Sequence, residues 1–178
     1  ELLKTVLASK LKVAATPANK NVAISHAEFA HTLTGKEDVV LIEYGEGAPG
    51  DIARFAQMTR PSHAIITGLA PAHLDKYKTL EKAAKDIFSI GQFVDASRIF
   101  VAGDSAATEP YIDQKNQVYT RDGLLGWKVD KVHVSFDSLV FRLRDKKQQL
   151  IIRSQLLGRH QVAPLALAAV LGLLLGMK

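Results

Sequence analysis

Residues 39–45 read VVLIEYG and residues 64–73 read AIITGLAPAH, and these two segments decide the fold. Each begins with an apolar run long enough for a short strand and then continues into a loop. Strands that are apolar on both faces are typical of parallel sheets covered by helices. Open sheets of that kind bind ligands beyond the carboxyl ends of their strands. The pattern therefore places a carboxylate, Glu43, and an imidazole, His73, at the edge where a site is expected.

The order of the other segments predicts the fold class. Up to about residue 111, segments with helical spacing alternate with short apolar runs, as in a doubly wound α/β sheet. Short segments separated by turn residues follow, at 117–120, 131–136, 139–143 and 149–153. We therefore predict an α/β fold with a mostly parallel doubly wound sheet, an appended small antiparallel β-meander, and a closing apolar helix from about His160.

Length and composition narrow the possible classes of protein. The chain of 178 residues and 19.4 kDa fits one domain, residues 1–178. Its net charge of +5 comes from lysines and arginines scattered along the chain, without the clustered basic stripe of a nucleic-acid-binding protein. The absence of cysteine excludes disulfides and thiolate metal sites and fits a cytoplasmic location.

The most apolar segment lies near the end of the chain. Residues 162–177 contain no charged side chain, which raises the question of a membrane span. A spanning helix needs about 20 apolar residues, and this run is shorter and contains Pro164 and two glycines. We therefore expect a helix buried inside the protein and no membrane span.

Three residue types near the carboxyl edge suit a divalent cation. Carboxylate oxygens suit magnesium, and an imidazole can supplement them. Lys85, at the flank of an apolar helical stripe, could join Glu43 and His73 only after conversion to a carbamate. Each residue also has an ordinary interpretation: a solvent-facing Glu, a loop His without a ligand, and a Lys whose amine extends to solvent.

Several motifs together resemble a known family. They are VLIEYG at 40–45, PGDI at 49–52, TRP at 59–61, ITGLAPAHL at 66–74, AKD at 84–86, TPANKN at 16–21, GRH at 158–160 and the alanine pair at 168–169. In collinear order over nearly the whole chain, they resemble the central domain of the Mur ligases, most closely the branch that adds D-alanyl-D-alanine to a UDP-muramoyl tripeptide.

The resemblance implies a function and a site. Mur ligases use ATP to phosphorylate a carboxylate, and an amine then displaces phosphate to form an amide in peptidoglycan precursor synthesis. By resemblance, Glu43 and His73 are magnesium ligands, and Lys85 is the carbamylated lysine that helps the metal hold the acyl-phosphate. The implied cofactors are Mg²⁺ and ATP, and the implied partners are a UDP-linked muramoyl peptide and an amino acid or dipeptide amine. The implied nucleotide-binding residues are Asn19, Asn21, Asp104 and His160.

The chain also departs from the family pattern. No Gly-rich loop ending in Gly-Lys-Thr occurs in residues 1–178. We expect that loop upstream of residue 1 and a further domain beyond residue 178, so we expect the 178 residues alone to be inactive. The residues at positions where the family usually has other types are Ser25, Gly68, Ala102, Gln161 and Pro164.

Two alternative functions follow from these departures and from the breadth of the family. The first is a degenerate binding or regulatory protein that kept the ligase fold and lost nucleotide use. The second is a related ligase that acts on another carboxylate, such as a folylpolyglutamate chain.

Overall fold

The computed structural model describes residues 1–178 as a mixed α/β protein. The helices are α1 (Leu2–Leu7), α2 (Ala23–Ala30), α3 (Asp51–Thr59), α4 (Leu74–Tyr77), α5 (Leu80–Phe88) and α6 (Val162–Leu174). The strands are β1 (Val13–Ala15), β2 (Val39–Leu41), β3 (Ala64–Ile66), β4 (Ile99–Ala102), β5 (Gln117–Tyr119), β6 (Gly123–Leu124), β7 (Trp127–Val134), β8 (Leu139–Arg144) and β9 (Gln149–Ser154).

Five short strands run parallel, and four of them, β1 to β4, were predicted to do so. β1 pairs with β2, and β3, β4 and β5 form a three-stranded group in that spatial order. The predicted fold class is confirmed, because parallel strands joined by helices are followed by an antiparallel sheet and a closing helix. In this arrangement the loops that follow the strands lie at the carboxyl edge of the sheet.

One strand belongs to a different sheet from the one predicted. We expected residues 117–120 in the antiparallel meander, but β5 pairs in parallel with β4, with Val101 opposite Val118. The expectation was wrong because the local pattern of a short strand does not specify its partner, which is chosen by packing. The side chain of Tyr119 is buried there, 3% exposed, and its neighbour Phe100 lies in the same core.

The antiparallel sheet contains four strands in the order β6, β7, β8 and β9. β7 begins at Trp127, four residues before the predicted start at residue 131. In β8 the side chains of Leu139, Phe141 and Leu143 are fully buried, whereas the residues between them are partly exposed. This alternation is that of a sheet with one face on the core.

Helix α6 covers that face and forms the larger of two cores. Its buried residues, among them Val162, Leu165, Ala166 and Val170, pack with the inward residues of β8. Pro164 is tolerated because it lies in the first turn, where the backbone N–H has no intrahelical acceptor. The expectation of a buried apolar helix is confirmed.

With 13 residues, α6 is too short to cross a bilayer, and none of the other helices is long and apolar enough to do so.

The smaller core lies under the carboxyl edge. Ile52 and Ala56 of α3 pack against Ile66 of β3 and Val101 of β4. Helix α5 begins at the capping residue Thr79, whose Oγ1 accepts a hydrogen bond from the backbone N–H of Lys82 at 3.2 Å. These contacts determine where the loops after β2 and β3 begin.

Two phenylalanines of one hairpin provide a test of the larger core. We expect Phe141→Ala to lower the free energy of unfolding by about 3–5 kcal/mol, because it leaves a cavity beneath α6. Phe136, 97% exposed at the β7–β8 turn, is the matched control, and Phe136→Ala should change stability by less than about 0.5 kcal/mol. Urea denaturation measures both, and equal losses would contradict the packing described above.

Candidate functional site

The segments that follow β1 and β2 meet at the carboxyl edge. The last pair of the ladder is Ala15 with Leu41, and the N–H of Thr16 donates to the carbonyl of Leu41 at 3.0 Å. Two residues beyond Leu41, the N–H of Glu43 donates a hydrogen bond to Oγ1 of Thr16 at 3.0 Å. The first predicted site residue is thus held directly at the end of the sheet.

Both backbone polar groups of Glu43 are held by side chains. Its carbonyl oxygen lies 2.8 Å from Nε2 of His26, a buried residue of α2. Its own carboxylate is exposed and has no hydrogen bond or ion pair with another residue. The backbone is therefore constrained while the carboxylate is free to bind a ligand.

The loop after Glu43 is packed closely against the segment that precedes α2. The N–H of Gly45 donates to the carbonyl of Asn21 at 2.9 Å. A Cβ at position 45 would lie 2.8 Å from Cγ of Asn21, so any other residue here would require the Asn21 side chain to move. The half-buried side chain of Asn21, predicted to bind nucleotide, therefore lies against the loop of Glu43.

The far end of the same loop is held by α4 and α5. The buried Tyr77 shares its hydroxyl proton between the carbonyl of Ala48 at 3.0 Å and Oδ2 of Asp86 at 2.7 Å. The other carboxylate oxygen of Asp86 accepts a hydrogen bond from the N–H of Gly50 at 2.8 Å. Burial, followed by the nearby Asp86 carboxylate, raises the pKa of Tyr77 well above its usual value.

The first residue of α3, Asp51, also holds the loop. Oδ2 of Asp51 accepts a hydrogen bond from the N–H of Ala48 at 2.8 Å, and its other oxygen pairs with Arg54. A carboxylate in the first turn also interacts favourably with the helix dipole. The loop from Gly45 to Gly50 is therefore held at both ends and in the middle.

His73 stands immediately before α4, next to the residues that hold this loop. It adopts a left-handed backbone conformation with φ of +51°, which is uncommon for a residue with a side chain. Its carbonyl accepts hydrogen bonds from the N–H groups of Lys76 and Tyr77. The imidazole is exposed and makes no hydrogen bond with another residue.

Lys85 is exposed and is engaged by its own helix. Its Nζ forms an ion pair with Oε1 of Glu81 at 2.7 Å, and it forms none with Glu43. The hydrogen bond to Glu81 and the attraction of that carboxylate raise the pKa of Lys85, which favours the ammonium form. The next residue, Asp86, is the one that faces the loop.

The three residues predicted to hold a cation, Glu43, His73 and Lys85, provide only part of a metal site. Glu43 and His73 offer two free donors of the types that accept magnesium. No group of three or more His, Cys, Asp or Glu side chains is arranged to hold a metal ion. A third ligand therefore has to come from elsewhere, and the assignment of Glu43, His73 and Lys85 to a metal site stays a prediction.

The predicted nucleotide-binding residues lie in three separate segments: the loop between β1 and α2, the loop after β4, and the turn before α6. Asn19 is exposed with φ of +62°, and Asn21 lies beside Gly45. Asp104 follows β4 and accepts a hydrogen bond from the N–H of Arg121 at 2.9 Å. His160 is exposed in a short 3-10 helix before α6. No hydrogen bond joins any two of these residues, and their role in nucleotide binding also stays a prediction.

The sequence analysis missed three residues that organise the edge. His26, Tyr77 and Asp86 are each held in place by contacts with segments distant in the chain. Tyr77 lies just after the motif at 66–74, and Asp86 is the last residue of the motif at 84–86, but the loop residues that they contact are 29 and 36 positions away. His26 lies in an unremarkable helical pattern, so the sequence contains no signal of its role.

A sequence model described as Mur ligase middle domain matches residues 1–172. The UDP-N-acetylmuramoyl-tripeptide--D-alanyl-D-alanine ligase of Escherichia coli (strain K12) is 25% identical over 169 residues, which cover 90% of this chain and 37% of that protein. The ligase of the same name from Treponema pallidum (strain Nichols) is 31% identical over 108 residues, which cover 59% of this chain and 23% of that protein. The chain thus spans well under half the length of these curated relatives.

Solved structures share the fold. The MurF crystal structure from Acinetobacter baumannii superposes with a TM-score of 0.78 at 18% identity, covering 97% of this chain and 39% of that one. The MurF ligase from Thermotoga maritima in complex with ADP gives 0.77 at 17% identity, covering 100% and 42%. FPGS from L. casei gives 0.69 at 16% identity, covering 98% and 54%. At these identities the likeness concerns the fold alone.

The hydroxyl of Tyr77 provides a test of how firmly the loop is held. We expect Tyr77→Phe to lower the free energy of unfolding by about 1–3 kcal/mol, because a partly buried carbonyl and a carboxylate each lose a partner. Tyr119→Phe is the matched control, since Tyr119 is equally buried but its hydroxyl makes only a 3.4 Å bond to Ile66. Urea denaturation should show the smaller loss for the control, and the reverse order would contradict this role for Tyr77.

Proposed function

Because this chain belongs to the Mur ligase family through its middle domain, we propose that it is the central, ATP-binding domain of an ATP-dependent carboxylate–amine ligase. The match to the family over residues 1–172 is the observation that carries the proposal. The chain spans only part of its relatives, so the activity is proposed for a protein that includes it. The 178 residues alone are expected to be inactive.

The proposed reaction has two steps. The γ-phosphoryl group of ATP passes to a substrate carboxylate and gives an acyl phosphate and ADP. The neutral amine of the second substrate then attacks the acyl carbon, releases inorganic phosphate and a proton, and forms the amide. The MurF relative solved with ADP supports use of an adenine nucleotide.

The proposed substrates are those of peptidoglycan precursor synthesis. The names of the two curated relatives support a UDP-linked muramoyl tripeptide as the carboxylate and D-alanyl-D-alanine as the amine. This reaction requires no membrane contact, and we expect a cytoplasmic location.

The proposed cation site consists of Glu43 and His73. When bound there, Mg²⁺ would neutralise phosphate charge and developing oxyanion charge. The proposal is supported by the constrained backbone of Glu43 and by the position of His73 after β3 and immediately before α4. Lys85 would contribute only as a carbamate, since its ammonium form repels a cation.

A folylpolyglutamate-type ligase is the second candidate. The likeness of fold to FPGS over 98% of this chain favours it. A binding or regulatory protein without nucleotide use is the third candidate, supported by the ion pair that holds Lys85 as an ammonium and by the departures from the family pattern noted above.

A ligation assay on the full-length protein that contains these residues separates the candidates. We expect phosphate release that requires ATP, Mg²⁺, the muramoyl tripeptide and D-alanyl-D-alanine. Glu43→Gln should lower kcat/KM by roughly 10-fold or more, because losing a metal ligand costs at least as much as losing a group that orients one. Glu28→Gln, an exposed change on α2, should have no effect. Turnover with a folyl substrate alone would favour the second candidate, and absence of nucleotide binding would favour the third.

Carbamate formation on Lys85 can be tested by changing Glu81, the residue that pairs with it. CO₂ reacts with the neutral amine and a proton is lost, so a raised pKa opposes carbamate formation at a given pH. Glu81→Gln removes the partner that raises the pKa of Lys85 and should increase the carbamate signal in ¹³C NMR with labelled bicarbonate. Glu28→Gln is the control. A signal that is unchanged by Glu81→Gln, or that persists in Lys85→Ala, would contradict this assignment.

A further inference from the structure

His26 makes one directed contact from inside the protein. The residue is 1% exposed, and its Nε2 lies 2.8 Å from the carbonyl oxygen of Glu43. A carbonyl oxygen can only accept a hydrogen bond, so Nε2 carries the hydrogen in this pair. The bond connects α2 to the residue that begins the loop after β2, across 17 positions of the chain.

The surroundings of the ring are apolar and hold it in one orientation. Its centroid lies 4.8 Å from that of Phe55 in an edge-to-face arrangement and 5.6 Å from that of Tyr44. The hydroxyl of Tyr44 bonds in turn to Thr59 of α3. The imidazole therefore has little freedom to rotate away from Glu43.

The other ring nitrogen, Nδ1, is buried without a hydrogen-bond partner. Leaving a buried polar atom without a hydrogen-bond partner is unfavourable. A leucine or phenylalanine would fill the same space without that penalty. What the imidazole adds to an apolar side chain at this position is the hydrogen bond to Glu43.

That hydrogen bond acts on a residue that has left the β-ladder. The pairing of β1 and β2 ends at Leu41, two positions before Glu43. The N–H of Glu43 is held by Thr16 and its carbonyl by His26, so two side chains from different segments determine the peptide planes on either side of its Cα. The direction of the Cα–Cβ bond, and with it the point from which the free carboxylate extends, follows from these two bonds.

We propose that His26 is a positioning residue that aims the Glu43 carboxylate at a divalent cation through the Glu43 carbonyl. This proposal rests on the proposed function, because only there is Glu43 assigned as a ligand of the cation. His26 itself touches neither the cation nor the substrates.

Three substitutions separate positioning from space filling. His26→Leu keeps an apolar side chain and removes the donor. His26→Gln keeps an N–H donor separated from Cβ by the same number of bonds as Nε2. Phe29→Leu is the matched control, because Phe29 is buried on the same helix and has no hydrogen bond to Glu43.

The first measurement is the affinity for Mn²⁺, which is determined from water-proton relaxation in the protein without substrates. His26→Leu should weaken binding by about 10-fold, a typical effect of losing a group that orients a ligand. His26→Gln should restore most of the affinity, and Phe29→Leu should leave it unchanged while lowering stability. Unchanged affinity in His26→Leu, or equal weakening in His26→Gln and His26→Leu, would overturn the proposal.

The second measurement does not depend on the cation. Amide hydrogen exchange of Glu43 and Gly45 should be faster in His26→Leu than in Phe29→Leu, after correction for global stability, and close to the wild-type rate in His26→Gln. If Glu43→Gln binds Mn²⁺ as tightly as the wild type does, the cation site of the proposed function is wrong. In that case the amide hydrogen exchange rates alone decide whether His26 holds the Glu43 backbone. Equal exchange in His26→Leu and Phe29→Leu would then reject it.

Discussion

Backbone N–H and C=O groups beyond the end of a short β-ladder still need hydrogen-bond partners. The conformation of the carboxyl edge of this protein depends on which groups act as these partners. The β1–β2 ladder contains only three residue pairs. The polar groups of Glu43 that follow it are bound by Thr16 and His26, in place of the neighbouring strand. A loop that would otherwise be mobile thereby becomes a defined support for a carboxylate.

The other end of this loop depends on a second set of contacts, made by α4 and α5. Two neighbouring residues of α5 have opposite roles there: Asp86 binds the backbone of the loop, while Lys85 lies in solvent and pairs with Glu81. Consecutive helical residues point in directions about 100° apart, so a single position separates the two environments. Tyr77 joins both parts, since its hydroxyl contacts the loop and Asp86 together.

The architecture separates support from chemistry. The larger core, where α6 packs on the antiparallel sheet, consists of hydrophobic side chains and contains none of the predicted site residues. The predicted ligands Glu43 and His73 lie instead on loops above the smaller core, where α3 packs on β3 and β4. Membership of the Mur ligase family agrees with this division, because ligands of open parallel sheets bind beyond the carboxyl ends of the strands.

The fold class, the buried apolar helix and the edge at which Glu43 and His73 lie were all predictable from the sequence. These features depend on apolar periodicity and on collinear motifs, which are local properties of the chain. Three features became known from the folded structure: β5 joins the parallel strands, Glu81 pairs with Lys85, and His26 holds the carbonyl of Glu43. Strand partners and the direction of a polar side chain depend on segments far apart in sequence, and their pairing is determined by packing in three dimensions.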